Sequence, residues 1–238
     1  MHIKGLQKLT LLDYKGYLAA TIFTGGCNFT CPFCHNSNLV LYPNTIPSIP
    51  ENTIFEFLKN RIGRLEAVCV TGGEPTLQKD LPTFLANVKH LGYKVKLDTN
   101  GTSPDTIDYL VQNHLIDYIA MDVKNAKHKY AETAGFTCNI NCNTNDNFIN
   151  KIEQSIQYIL HCGCPYEFRT TLVKELHTQE DILSICKWIE GADAYYLQPY
   201  RNSPEVIQPI YSRHSDEELQ HFQKIAQQYV KSCAIIGT

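Results

Sequence analysis

The chain has little that would suit it to nucleic acid or to a membrane. Its 238 residues carry a net charge of −3, and no basic block or stripe of arginines and aromatics stands out. Electrostatics therefore do not indicate a nucleic-acid partner. The apolar run at residues 17–23 is far shorter than the roughly 20 residues that a membrane-spanning helix needs. We accordingly expect no nucleic-acid partner and no membrane association.

The N-terminus also lacks the apolar stretch of an export signal. Lys4, Lys8, Asp13 and Lys15 interrupt it, so we expect a cytoplasmic protein whose thiols stay reduced. Ten cysteines are present, and in a reducing compartment clustered cysteines suit metal or cluster ligation better than disulfides. Hydrophobic residues make up 43% of the sequence, enough for one sizeable core, so residues 1–238 are expected to form a single domain.

Hydrophobic patterning predicts alternating strands and helices. Apolar or alternating runs predict strands at about 18–24, 67–71, 94–98, 117–123, 166–173 and 194–198. Helices are expected between them, at 52–62 and 80–91 and from starts at Ser103, near Asn147, at Thr178 and at Ser215. This order implies an α/β fold of parallel strands with right-handed crossovers. A closed barrel typically takes eight strands and about 250 residues, so we predict a partial (β/α)6 TIM-like barrel, open on one side.

The segment GGCNFTCPFCHN, residues 25–36, supplies Cys27, Cys31 and Cys34 but no obvious fourth ligand. Structural zinc needs four ligands, and His35 is adjacent to Cys34 and poorly placed to complete a tetrahedron. CPFCH also fits c-type haem attachment, which belongs to exported proteins, and CPFC fits a redox pair that leaves Cys27 without a role. An iron–sulfur cube usually takes four thiolates. Three protein thiolates would leave one iron open to an outside molecule, and the pattern favours this interpretation.

The cysteine spacing C-x3-C-x2-C, with the aromatic Phe33 before the last cysteine, resembles the signature of radical S-adenosylmethionine (SAM) enzymes. CPFCHN is similar to the form found in glycyl-radical-enzyme activases. TGGEPTLQKDLPTFL, LGYKVKLDTNG, DYIAMDVK, YEFRTTLV and YYLQPYR extend the resemblance along nearly the whole chain, toward activating proteins of anaerobic ribonucleoside-triphosphate reductase. Lys15 and the QPY segment depart from that pattern, and these departures bear on the partner more than on the cofactor.

The resemblance implies a [4Fe-4S] cluster on the three cysteines of the loop and SAM beside it. The remaining expected contact residues lie in the cysteine loop or along the strands and at their ends: Phe33, Gly72, Gly73, Glu74, Asp98, Thr99, Asp122, Lys124, Arg169 and Gln198. Polar residues at the carboxyl ends of parallel strands meet at one edge of the sheet. By themselves, several of these residues would equally suit a plain turn or surface charge.

The resemblance also implies individual roles. Gly72, Gly73 and Glu74 would receive the amino group of SAM. Asp98, Thr99 and Asp122 would help to hold SAM through a monovalent cation beside its carboxylate, and Lys124 would contact the ligand. From the residues themselves, Arg169 in a strand should pair with a core carboxylate or with SAM, and Gln198 would face the adenosine.

The activity implied is reductive cleavage of SAM to a 5′-deoxyadenosyl radical, which takes a hydrogen from a glycine of the partner, anaerobic ribonucleotide reductase. Flavodoxin or ferredoxin would supply the electron. Two alternatives stay open: a radical SAM enzyme acting on a small molecule, such as a deazaguanine synthase, and a non-catalytic electron carrier or zinc-stabilised binding module. Whether Cys138, Cys142, Cys162 and Cys164 bind a second metal also stays open.

Overall fold

A computed structural model of the chain describes residues 1–136 and 144–237. Eight strands form one sheet in chain order. They are β1 (Ile3–Thr10), β2 (Ala19–Thr24), β3 (Ala67–Gly72), β4 (Lys94–Thr99), β5 (Tyr118–Asp122), β6 (Tyr166–Leu172), β7 (Tyr195–Pro199) and β8 (Cys233–Ile235). Strands β2 to β8 pair in parallel, and the six predicted strands are confirmed as β2 to β7, each end within one residue.

The sequence patterns missed the two edge strands. β1 pairs antiparallel with β2, and only its first and last residues, Ile3 and Thr10, are buried. It therefore shows no alternation of apolar and polar residues. β8 is three residues long, which is too short for a periodic signal. Pairing among the described strands does not join β1 to β8, so the sheet is an open, partial barrel, as predicted.

Helices connect the parallel strands. They are α1 (Ser37–Leu41), α2 (Glu51–Lys59), α3 (Leu81–His90), α4 (Pro104–Gln112), α5 (Tyr130–Thr133), α6 (Thr144–His161), α7 (Gln179–Trp188) and α8 (Asp216–Ala226). The capping boxes of α7 and α8 are present at Thr178 and Ser215. The helix expected near Asn147 already begins at Thr144. Within the described ranges, no helix combines the length and apolarity needed to cross a bilayer.

Strand alternation separates an apolar layer from a charged one. In β4, Val95 and Leu97 are fully buried in the hydrophobic core with residues of α3 and α4. The alternate residues, Lys96 and Asp98, point to the other face and form ion pairs with residues of β6. Lys96 Nζ lies 3.5 Å from Glu167 Oε1 of β6. Residues i and i+2 of a strand share a face, so one face of the sheet packs against helices and the other lines a charged interior.

Candidate active site

Every residue that the sequence predicted to contact a cofactor lines one cavity, at the carboxyl ends of the parallel strands. Its volume is about 250 Å³, near the lower end of the range of small-molecule sites. The predicted residues in its wall are Cys27, Cys31, Phe33, Cys34, Gly72, Gly73, Glu74, Asp98, Thr99, Asp122, Lys124, Arg169 and Gln198. The structure thus brings the cysteine loop and the ends of several strands together around a single space.

The cysteine loop is held against the turn that follows β3. The backbone N–H of Gly73 donates to the Thr24 carbonyl at 2.8 Å, and that of Glu74 donates to the Gly26 carbonyl at 2.8 Å. A Cβ atom on Gly73 would lie 2.0 Å from the carbonyl oxygen of Gly26, far inside van der Waals contact. Glycine is therefore required at position 73 because two backbones meet there.

Glu74 is buried, and its carboxylate connects the ends of β3 and β4. It accepts hydrogen bonds from the backbone N–H of Thr76 at 3.1 Å, the hydroxyl of Thr76 at 2.6 Å, the hydroxyl of Thr99 at 2.7 Å and the backbone N–H of Asn100 at 2.7 Å. Burial raises the pKa of Glu74, and these hydrogen bonds oppose that rise. Both carboxylate oxygens thus have protein donors, and the expected contact of Glu74 and Thr99 with SAM stays a prediction.

The three thiols of the loop line the cavity with a lysine beside them. Burial raises the pKa of Cys27 to about 11 and that of Cys31 to about 12, and it raises the pKa of Cys34 as well. The ammonium of Lys124 acts in the opposite direction on all three. A group bound through thiolates there would displace protons from the thiols, and the lysine would offset part of its negative charge.

The donors around the cavity fit an iron–sulfur cube better than a single metal ion. In the part of the chain that the structure describes, no three His, Cys, Asp or Glu residues lie close enough to share one ion. His35 belongs to no such group among the described residues, and its Nε2 lies 2.6 Å from the Arg201 carbonyl. Three thiols spread around a cavity suit the corners of a [4Fe-4S] cluster.

Sequence reasoning did not single out two asparagines that support the loop. Asn100 Nδ2 lies 3.8 Å from Cys27 Sγ and donates to Asn28 Oδ1 at 2.9 Å. Asn36 Nδ2 donates to the Gly72 carbonyl at 3.1 Å. Both residues stand inside motifs that the sequence did highlight, LDTNG and CPFCHN, but a sequence motif does not state which backbone group an amide will reach.

Two of the other candidate metal ligands lie away from this cavity. Cys162 and Cys164 follow the C-terminal end of α6 and do not line it. Cys138 and Cys142 lie outside the described residues. A second metal at these four cysteines stays an open question.

Known proteins resemble this chain over most of its length. A family profile described as the radical SAM superfamily matches residues 21–189. A candidate glycyl-radical enzyme activating enzyme of Methanocaldococcus jannaschii is 34% identical over 240 residues, which cover 98% of this chain and 95% of that protein. The 7-carboxy-7-deazaguanine synthase of Methanothermobacter thermautotrophicus is 29% identical over 140 residues, covering 56% of this chain and 51% of its own.

Solved structures show the same fold. The crystal structure of Streptococcus suis SuiB bound to S-adenosylmethionine superimposes with a TM-score of 0.67 at 16% identity, covering 89% of this chain and 48% of SuiB. An open α/β sheet with a three-cysteine loop after its first parallel strand, matched by the family profile, defines the class: this chain belongs to the radical SAM superfamily, whose enzymes use a [4Fe-4S] cluster and SAM. Within it, the chain groups with the glycyl-radical enzyme activating enzymes.

Substituting Gly73 tests the contact between the cysteine loop and the turn after β3. We expect Gly73→Ala to displace the loop, because the new Cβ would collide with the Gly26 backbone, and to lower the iron bound after anaerobic reconstitution. Gly92→Ala is the matched control: its φ is +87°, but nothing lies within 4 Å of the added Cβ. This control should lose some stability from backbone strain and keep its iron. Equal iron content in the two variants would contradict the prediction.

His177 makes stability depend on pH near the site. It is fully buried, its Nε2 donates to the Lys124 carbonyl at 2.8 Å, and its Nδ1 accepts from the Val173 N–H at 3.1 Å. Burial lowers the pKa of His177 from 6.5 to about 4. As the pH falls, His177 therefore takes up a proton in the unfolded chain before it does so in the folded chain. The contribution of neutral His177 to stability is complete above pH 6.5 and is lost as the pH falls toward 4.

The expected loss in the free energy of unfolding is about 3 kcal/mol across that window, measured by urea denaturation at several pH values. His177→Gln should be less stable at neutral pH and should show a shallower slope with pH. A slope unchanged by the substitution would assign the pH dependence to other groups.

Proposed function

We propose that this chain is an activating enzyme that generates a glycyl radical on anaerobic ribonucleoside-triphosphate reductase. The observation that carries the proposal is the 34% identity, over nearly the whole of both chains, to a candidate glycyl-radical enzyme activating enzyme. The motifs that resemble activating proteins of this reductase support the choice of partner. The cavity supports the chemistry, because its wall combines three thiols with the polar ends of several strands.

Cys27, Cys31 and Cys34 would hold the cluster at three of its irons. When bound there, the cluster and SAM would supply radical chemistry through one-electron cleavage of the sulfur–C5′ bond. The protein contributes position and charge: Lys124 stands beside the thiols, which are buried or half-buried in the wall of the cavity. An enclosing wall matters for a reactive radical because side reactions would otherwise consume it.

The strand ends on the other side of the cavity would position SAM. The turn at Gly72 and Gly73 brings backbone groups close to the cysteine loop, and Gln198 lies at the end of β7, where it could face the adenosine. Asp122 stays ionised: burial alone would raise its pKa, but Arg169 and Lys124 together lower it to about 2. Because both of its oxygens face these cations, Asp122 would help to fix the wall of the cavity against which SAM binds.

The open side of the barrel supports a macromolecular substrate. Because β1 and β8 do not pair with each other among the described residues, a glycine-bearing loop of the reductase could approach the cavity from that side. Each event also consumes one electron, and we propose flavodoxin or ferredoxin as its donor.

A small-molecule reaction is the second candidate. It is favoured by the 29% identity to a 7-carboxy-7-deazaguanine synthase, which covers 56% of this chain. The match to the candidate activating enzyme covers 98% of this chain, including the segments near both of its ends. This larger coverage favours the activating enzyme over the synthase.

Anaerobic reconstitution with iron and sulfide tests the cofactor assignment. After chemical reduction with SAM present, the wild-type protein should release 5′-deoxyadenosine. Cys31→Ala should release almost none, because it removes one of three ligands. Cys186→Ala is the matched control, since Cys186 is a fully buried cysteine of α7 that does not line the cavity. Release by Cys31→Ala at the level of Cys186→Ala would contradict the ligand assignment.

Incubation with the reductase then tests the partner. An activating enzyme should produce a protein-centred glycyl doublet by electron paramagnetic resonance when SAM, reductant and anaerobic ribonucleotide reductase are all present. The small-molecule alternative predicts release of 5′-deoxyadenosine without that doublet. A doublet with another glycyl radical enzyme and none with the reductase would reassign the partner.

A further inference from the structure

Two carboxylates stand side by side in the wall of the cavity. Asp98 is the penultimate residue of β4, and Asp122 is the last residue of the adjacent strand β5. Their side chains are only 15% and 29% exposed. Neighbouring carboxylates at such exposure repel each other and raise each other's pKa unless cations compensate them. The compensation can come from a bound metal ion or from the protein.

In this protein a separate cationic nitrogen faces each of the four carboxylate oxygens. Arg169 provides two of them, with Nη1 3.4 Å from Asp98 Oδ2 and Nε 2.9 Å from Asp122 Oδ1. Lys124 Nζ lies 3.0 Å from Asp122 Oδ2. Lys96 Nζ lies 3.3 Å from Asp98 Oδ1, an ion pair without hydrogen-bond geometry.

The arrangement continues below the cavity with balanced charge. Glu167 Oε1 lies 3.5 Å from Lys96 Nζ and 3.8 Å from Arg169 Nη1, and Lys96 also donates to the Asp13 carbonyl at 2.6 Å. Three carboxylates, of Asp98, Asp122 and Glu167, therefore meet three cations, of Lys96, Lys124 and Arg169. A metal ion added between the two aspartates would be a fourth positive charge and would have to displace the guanidinium.

We propose that Arg169 occupies the position between Asp98 and Asp122 that a monovalent cation would otherwise take, and that SAM binds this protein without such an ion. The residues therefore do not fit the cation that the sequence resemblance implied. Arg169 acts as a positioning residue, because it holds both aspartates in the orientation in which they line the cavity. The inference rests on the proposed function, in that it takes the cavity to be the SAM site.

The test compares SAM affinity in different salts at equal ionic strength. SAM is titrated into the reconstituted protein, before any reduction, in potassium, sodium or choline chloride, and binding is followed by calorimetry and by the change in the cluster spectrum. We expect the same dissociation constant in all three salts. Tighter binding in potassium or sodium than in choline would overturn the inference.

Arg169→Gln should create the dependence that the wild type lacks. Without the guanidinium, the two aspartates would face each other with space between them, so SAM should bind more weakly in choline and recover by about tenfold in potassium. Arg213→Gln is the matched control, because Arg213 is an exposed residue that pairs with Asp216 away from the cavity. It should bind SAM as the wild type does in every salt. A salt-independent Arg169→Gln would overturn the assigned role.

Two further results keep the test decisive. If Arg169→Gln does not fold, crystals of the wild type soaked in rubidium chloride answer the question, because anomalous density between Asp98 and Asp122 would overturn the inference and its absence would support it. If the wild type loads a cluster but binds SAM in no salt, the proposed function itself fails. Salt-dependent SAM binding, by contrast, overturns only the role given to Arg169.

Discussion

The structure depends on the close approach of two backbones, that of the cysteine loop and that of the turn after β3. Hydrogen bonds from Gly73 to Thr24 and from Glu74 to Gly26 fix the loop at its start, and no side chain fits between them at position 73. The loop follows β2 directly, so a rigid sheet carries the thiols. This contact explains why glycines occupy positions 72 and 73, where the turn after β3 meets the end of β2 and the start of the cysteine loop.

Burial of charge is the second constraint. The concave face of the sheet holds carboxylates and cations where an apolar core would be easier to build, and each charge there needs a partner because unpaired buried charges are costly. Pairing across β4, β5 and β6 satisfies that need and also fixes where the side chains stand. Side chains fixed in this way suit a site that must hold a charged ligand, because the polar groups need little rearrangement when the ligand binds.

Much of the fold could be predicted from local patterns. Parallel strands covered by helices are short apolar runs separated by helical periods, and those six strands were located within one residue at each end. Edge strands such as β1 are half exposed and carry mixed residues, so the same patterns do not detect them. The residues of the site were also predictable as a set, because motifs that follow parallel strands converge on one edge of a sheet whatever their separation in sequence.

The sequence by itself determined which three thiols meet at the cavity, the order of the six strands β2 to β7 and the edge of the sheet at which the polar motifs meet, because those features depend on spacing and on hydrophobic periodicity. Only the tertiary structure decided which hydrogen-bond or ion-pair partner each polar residue of the site has. Glu74 turned out to bond to Thr76, Thr99 and Asn100, and Arg169 to bridge Asp98 and Asp122, although each could equally have faced a ligand. The choice depends on distances of a few ångströms between side chains on different strands, which no spacing along the chain encodes.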